Sequence, residues 1–279
     1  MYHRHPATDI IKYTRRGMIR SAILRVLGLP EWMLDGNCFG EHDSELVYDS
    51  IVVRIVNLRH RLSTLHKDRM GQQLTPVFIS MAEKLHGEAR DLDNALQDWA
   101  GHQLCIWARQ RHILSGPHIF PTKDFYSSEV YNYSSPVYAS AWILYYATRL
   151  LINSTLLKII RVIGPQSNSI AFQRRFEYLS VMTSTANDLA LSIPCALQRF
   201  TLTDTSDGSS GQNSIVINEN EEVKPYVANL IIWPLSLSAN MSGVDDRYKS
   251  WFRSLLACLG RITGIALLEN AETDSWPEL

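Results

Sequence analysis

Apolar residues recur at spacings of three and four along most of this sequence, and that period constrains the fold more than any other feature. From Asp43 to about Leu65 the apolar positions share one face of a helix, with arginines between them. A second run, from about Glu88 to Leu114, is acidic early and basic late, as the helix dipole favours. Both runs are predicted to be amphipathic helices.

The second half of the chain continues the helical pattern. One helix is expected from Val137 to about Gly164, and the next contains the stretch TSTANDLALSIPCAL and ends at Pro194. The apolar stripe of that second helix comprises Phe172, Phe176, Leu179, Ala186, Leu189 and Ile193. A short apolar helix is expected around Trp233-Pro234, and a last helix runs from about Asp245 to Gly264.

No stretch alternates convincingly with the period of two that marks a half-buried strand, so the predicted fold class is all-α. At 279 residues the chain is short enough to close around one core, and we expect a single irregular multi-helix domain over residues 1–279. Composition marks a long connection from Ser115 to Pro136 and one long mobile polar loop over 201–222. Within that loop, the stretch SIVIN is a candidate for a brief strand.

Charge and cysteine spacing narrow the function. The chain has 27 Lys and Arg against 28 Asp and Glu, so it lacks the basic excess of an autonomous nucleic-acid binder. The cysteines, Cys38, Cys105, Cys195 and Cys258, lie too far apart in sequence to form the close pairs of a zinc site. We expect buried reduced thiols, which are typical of an intracellular protein.

The N-terminal stretch RRGMIRSAILRVLG has two interpretations. Its apolar stripe comprises Met18, Ile19, Ala22, Ile23, Val26 and Leu27. An arginine-rich, acid-poor amphipathic helix resembles a mitochondrial transit peptide, which would be cleaved near residues 28 to 35 and would indicate an imported enzyme. The interpretation we favour is a first helix with a solvated arginine face, closed by Leu29-Pro30. No membrane span is predicted, because polar or charged residues interrupt the apolar stretches.

Sequence motifs for catalysis are weak. Glu83 and His86 form one E-x-x-H, half of what a di-iron bundle requires, and solvated helix residues are the expected alternative. Asp98 and His102 lie one helical turn apart and are interpreted as an exposed pair. No local motif for a nucleophile, a phosphate loop or a dinucleotide is present. We therefore predict no enzyme activity, no cofactor and no metal.

Four segments, in order, resemble the fungal-specific transcription factor domain, the carboxy-terminal regulatory region of zinc-cluster fungal transcription factors. AWILYYATRLLINSTLL resembles the family's Trp-x-x-Tyr helix, and TANDLALSIPCAL resembles its segment that ends in Ser-Ile-Pro. LIIWPLSLSA is similar to the Leu-x-Trp-Pro-Leu helix, and WFRSLLACLGRITGIALLENA is similar to the closing segment. The six-cysteine zinc-cluster module that normally precedes this region does not occur in the 279 residues.

The resemblance implies a nuclear regulatory domain that acts through contacts with other transcription proteins, with a small-molecule effector as a further partner, at a metabolic or secondary-metabolite gene cluster. DNA would be reached only through the missing zinc-cluster module, which an upstream exon before Met1 would encode, or through a partner. The alternative is a free-standing ligand-sensing module or co-regulator, nuclear or cytoplasmic. Its pocket would be lined by the aromatic residues Trp142, Tyr145, Tyr146, Trp233 and Trp251.

Overall fold

A computed structural model describes residues 6–68, 75–103, 107–114, 119–163, 169–203, 214–218 and 221–273. Within these ranges the chain is mostly α-helical, and the strands are short and confined to two hairpins. The all-α prediction is therefore confirmed.

The helices form in the following order. They are α1 Pro6–Arg25, α2 Asp43–Asp68, α3 Pro76–Gln103, α4 Pro136–Ile163, α5 Ser169–Ala196, α6 Pro225–Ser238, α7 Asp246–Thr263 and α8 Ala266–Glu269. Two 3-10 turns, Glu31–Met33 and Gly36–Phe39, lie between α1 and α2. The predicted bounds hold best for α7, because Asp245 caps its N-terminus and Gly264 adopts the left-handed conformation just after its end.

Two antiparallel hairpins interrupt the helices. Strand β1 (Arg109–Ile113) pairs with β2 (Glu129–Tyr133), and β3 (Phe200–Thr203) pairs with β4 (Ser214–Ile217). The prediction that a helix continues to Leu114 was wrong, since α3 ends at Gln103 and β1 follows. The five residues of β1 show no alternation of burial, so a period of two was not visible there. The strand predicted in SIVIN is confirmed.

Helix α5 differs from its prediction at both ends. It continues through Pro194 to Ala196, because a proline so close to the last turn removes only one backbone donor. At the other end Phe172 and Phe176 are 77% and 68% exposed, so their assignment to the inward stripe was wrong. The rest of the stripe is buried at Ala186, Leu189 and Ile193, as predicted.

The chain groups into two compact units, each with its own buried residues. Unit 1 comprises Met1–His102 and Ile152–Tyr178, and unit 2 comprises Gln103–Leu151 and Leu179–Leu279. Helices α4 and α5 contribute residues to both units. The expectation of one domain over 1–279 stays a prediction. The mobility expected of 201–222 also stays one, because 204–213 and 219–220 lie outside the described residues.

Helix α4 is long and apolar enough to cross a membrane by length and composition alone. In its most apolar window, 78% of the residues are buried inside the protein. A buried window of this kind is typical of a core helix.

Candidate functional site

Helix α1 buries the predicted residues Ile19, Ala22 and Ile23, but it also buries charged side chains that were expected in solvent. Lys12 and Arg15 are 4% and 1% exposed and lie on the same face as the buried Ile19, Ala22 and Ile23. The expected solvated arginine face is therefore wrong at Arg15. Burying a charged group costs on the order of several kcal/mol unless the group is paired and hydrogen-bonded.

Arg15 is paired. Its Nη1 donates to Oδ1 of Asp49 at 2.6 Å and its Nη2 donates to Oδ2 at 2.8 Å, which forms a bidentate clamp from α1 to α2. Its Nε donates to the carbonyl oxygen of Met33 at 3.0 Å. The guanidinium also lies 5.1 Å from the centre of the Phe39 ring. All of these partners belong to unit 1.

A second carboxylate, Glu41, pairs with Lys12 and Arg16 of α1. Glu41 is fully buried and accepts from Arg16, whose Nε lies 2.7 Å from its Oε1. The Nζ of Lys12 lies 3.3 Å from the same carboxylate and also contacts Glu45. We call these groups the α1 ion network; its members are Lys12, Arg15, Arg16, Glu41, Glu45 and Asp49. It anchors α1 to the first two turns of α2 and the preceding loop.

The opposite face of α1 is mostly uncharged, and most of it is exposed. We define the α1 surface by the positions on that face, which are Ile10, Tyr13, Gly17, Ser21 and Leu24. Ile10, Tyr13 and Leu24 are 67%, 66% and 45% exposed. A side chain added at Gly17 would meet nothing within 4 Å. The predicted inward stripe is also wrong at Met18 and Leu27, which are about half exposed. Apolar residues at helical spacing on an outer face are typical of an interaction surface.

Unit 2 contains a different polar cluster, built where β1 and β2 face α4 and α5. The guanidinium of Arg109 lies 4.6 Å from the centre of the Tyr131 ring. Its Nη1 contacts the hydroxyl of Tyr146 and lies 3.2 Å from Oδ2 of Asp188. The hydroxyl of Tyr131 donates to the other oxygen of Asp188 at 2.9 Å. Every charged group of this cluster is satisfied within it, as a structural network requires.

The nucleophilic side chains near this cluster are poorly suited to attack. The hydroxyl of Ser192 donates to the carbonyl oxygen of Asp188 at 2.7 Å and contacts the Tyr133 hydroxyl at 2.8 Å. Burial raises the pKa of Tyr133 above its ordinary value. Burial also raises the pKa of Cys195 to about 11, so its thiol stays protonated at neutral pH.

The predicted cysteine burial holds in part. Cys195 and Cys258 are buried, but Cys38 is exposed, so the prediction was wrong there. The Cys38 thiol donates to Asp35, and this hydrogen bond raises its pKa. Cys105 lies outside the described residues.

The two weak metal motifs fall in different surroundings. His86 is only 3% exposed and contacts the Tyr178 hydroxyl at 2.9 Å, so the expectation of a solvated histidine was wrong. Glu83 is paired instead with Arg174 at 3.6 Å. Asp98 and His102 are an exposed pair, as predicted, with the His102 ring nitrogen 2.6 Å from the Asp98 carbonyl oxygen. Among the described residues no three metal-ligating side chains gather.

The aromatic residues predicted to line a pocket pack against one another instead. Trp142, Tyr145 and Tyr146 form a cluster with ring centres 5.2 to 5.7 Å apart. Trp251 is 6% exposed and donates its ring N–H to the Thr122 carbonyl oxygen at 2.9 Å. Trp233 lies on α6 and is half-buried. Except for Trp233, these rings are buried core residues of unit 2.

A cavity of about 370 Å³ lies at the surface of unit 2, on one face of α7. It is lined by Asp246, Lys249, Ser250, Arg253 and Glu272. Its walls therefore carry both signs of charge and a hydroxyl, which suits a small polar molecule better than an apolar one.

Comparison of the chain with protein-family models, with curated proteins and with solved structures found no match.

Proposed function

We propose that this chain is a regulatory domain of a fungal transcription regulator, located in the nucleus, that acts by binding other proteins through the α1 surface. The observation that supports this proposal is the burial of cations on α1. The helix directs Lys12, Arg15 and Arg16 into the α1 ion network and leaves Ile10, Tyr13 and Leu24 exposed. Such a surface gains stability when another apolar face covers it.

The partner we propose is an amphipathic helix of another transcription protein, with acidic residues beside its apolar face. Gly17 and Ser21, spaced by four on the α1 surface, would allow a partner backbone to come close. Arg25 flanks the surface at its C-terminal end and would attract carboxylates. The apolar anchors of the partner would fall at spacings of three and four, as in other helix-in-groove complexes.

The test is a reporter assay with the chain fused to a heterologous DNA-binding domain in fungal cells. The double variant Ile10→Ser and Leu24→Ser should lower reporter output at least severalfold at an unchanged protein level. The matched control is Val77→Ser and Met81→Ser, which removes side chains of similar exposure from α3 in the same unit. Equal effects of the two double variants would count against the α1 surface.

DNA binding is tested separately. The chain alone should not shift duplex DNA at physiological salt, since it lacks an excess of cations to replace counterions. Specific binding in the nanomolar range would overturn this form of the proposal.

A ligand-sensing module is the second candidate function, and the observation that favours it is the cavity beside α7. A ligand present at one hundred times its dissociation constant adds roughly 2.7 kcal/mol of stability. A thermal-shift screen of polar metabolites on the wild-type chain and on Lys249→Met should therefore find a shift that the variant loses. If no polar metabolite shifts the wild-type chain, this candidate fails.

A mitochondrial enzyme remains the third candidate, and one localisation experiment separates it from the first. A tagged full-length chain should give a nuclear signal and keep its N-terminus. Organellar signal with cleavage near residues 28 to 35 would favour import. Such cleavage would also detach α1, and with it the Arg15–Asp49 clamp, from unit 1.

A further inference from the structure

A second buried arginine in unit 1 lacks the carboxylate that Arg15 has. Arg59, in the middle of α2, is 4% exposed and lies one turn from the buried Ile55 and Leu62. Its Nη1 donates to the hydroxyl oxygen of Thr155, on α4, at 3.1 Å. Its Nε is buried and has no hydrogen-bond partner.

No carboxylate among the described residues forms an ion pair with Arg59. The ion pairs of α2 in unit 1 involve Glu45, Asp49 and Arg61 instead. Burial is the single cause that shifts the pKa of Arg59, and it lowers that pKa to about 10. Arg59 therefore stays charged at neutral pH, in a place where no described acidic group attracts it.

An uncompensated buried cation is among the most costly features that a protein interior can contain. A lysine would relieve the cost by losing its proton, but a guanidinium does not. The remaining route is an anion supplied from outside the chain. The unpaired Nε provides a donor for an oxygen of such a group, and the bond from Nη1 to the Thr155 hydroxyl holds the guanidinium in place.

We infer that unit 1 binds a small anion, carrying a carboxylate or a phosphate group, between α2 and α4 at Arg59 and Thr155. The planar guanidinium suits both groups because it donates along parallel N–H bonds. This site does not depend on the proposed function, because an anion would bind there whether or not the chain regulates transcription. It is also separate from the cavity beside α7, which belongs to unit 2.

The experiment is a thermal-shift titration of the full chain with inorganic phosphate and, separately, with acetate. Ionic strength is held constant with a bulky sulfonate buffer, so that general screening does not change. Saturating anion should raise the Tm of the wild-type chain by about 5 °C. The variant Arg59→Met should lose this rise. Arg54→Met, the same substitution at an exposed position of α2, should keep it.

The two probes separate the two sources of negative charge, since a response to phosphate alone indicates a phosphorylated ligand and a response to acetate alone indicates a carboxylate. No response to either anion would overturn the inference, as would an equal response from Arg59→Met. If the α1 surface variants did not lower reporter output, the proposed function would fail, but the result of this anion titration would be unaffected.

Equilibrium dialysis with labelled phosphate or labelled acetate, whichever anion raises the Tm, keeps the inference testable if Arg59→Met does not fold. The wild-type chain should bind one anion per chain with saturation. Thr155→Val, which removes the hydroxyl that accepts from Nη1 of Arg59 and positions the guanidinium, should weaken binding roughly tenfold, as expected for the loss of a hydrogen bond to a charged group. Unsaturable binding, or unchanged affinity in Thr155→Val, would contradict the site.

Discussion

Arg15 and Arg59 lie in the same unit and are almost equally buried, yet their surroundings are opposite. Arg15 is clamped by both oxygens of Asp49 and also donates to a backbone carbonyl oxygen. Arg59 has one hydroxyl partner and a buried Nε without one. The difference teaches that burial alone does not give a buried cation its role. The ion pair of Arg15 joins α1 to α2, whereas Arg59 has an unpaired donor that the inferred anion would bind.

The largest expected effect on the free energy of unfolding comes from breaking the ion pair between Arg15 and Asp49. Asp49→Asn removes the counter-charge but leaves Arg15 buried, so we expect a loss of about 3–5 kcal/mol in the free energy of unfolding. Urea unfolding followed by circular dichroism measures it. The control is Asp246→Asn, at a side chain that is 97% exposed. A loss at Asp49 no larger than at Asp246 would show that the clamp contributes little.

The next effect concerns the space around the clamp. A Cβ at Gly36 would lie 2.4 Å from Oδ2 of Asp49, which Arg15 holds in place. Gly36→Ala should therefore cost about 1–3 kcal/mol, by displacing a group that cannot move without breaking the clamp. Gly17→Ala is the matched control, because open space surrounds Gly17 and alanine favours the helix by about 1 kcal/mol. In thermal melts we expect Gly36→Ala to lower the Tm and Gly17→Ala to raise it. Shifts of the same sign would contradict this account.

The contrast between the two arginines predicts that substituting them changes the free energy of unfolding in opposite directions. In a buffer of bulky sulfonate without small anions, Arg59→Met should raise the free energy of unfolding by about 1 kcal/mol, because it removes an uncompensated buried charge. Arg15→Met should lower it, because Asp49 is then left buried without its partner. Urea unfolding of both variants in the same buffer is the measurement. Destabilisation by both substitutions would remove the distinction between paired and unpaired arginine.

The smallest effect involves a buried group that can lose its charge. Burial, and then the nearby Arg174, lower the pKa of His86 below its ordinary value. The unfolded chain therefore binds more protons, so this group's stabilising effect is complete above about pH 6.5 and is lost as pH falls through the folded pKa. The loss should be under about 1 kcal/mol between pH 7 and 5.5. His86→Gln should flatten the pH profile of urea unfolding, while His102→Gln, at an exposed histidine, should not.

The helices could largely be predicted, since their apolar period depends on burial of one face. The bounds of α2, α4 and α7 follow from apolar spacing and from residues such as Asp245 and Gly264. The hairpin of β1 and β2 could not be predicted. Its strands are five residues long, and the residues of β1 are exposed except at His112, so local pattern contains little information there.

The candidate surface was missed because sequence analysis assigns charged residues to the solvent side. Lys12 and Arg15 are spaced three apart and continue into Ile19, Ala22 and Ile23, so the spacing that places them on the buried face was present. What the sequence lacked was the identity of the acceptors. Glu41 lies in a loop, 29 positions from its partner Lys12, and Asp49 lies on α2, 34 positions from its partner Arg15.

By itself the sequence determined the fold class, most of the helices and the absence of a basic excess, because each follows from composition or from spacing within one segment. Only the tertiary structure decided that Lys12 and Arg15 are buried with the apolar face of α1, and which buried arginine has a carboxylate. The physical reason is that a charge is stable inside a protein when a distant segment supplies its partner, and local spacing does not specify that distant segment.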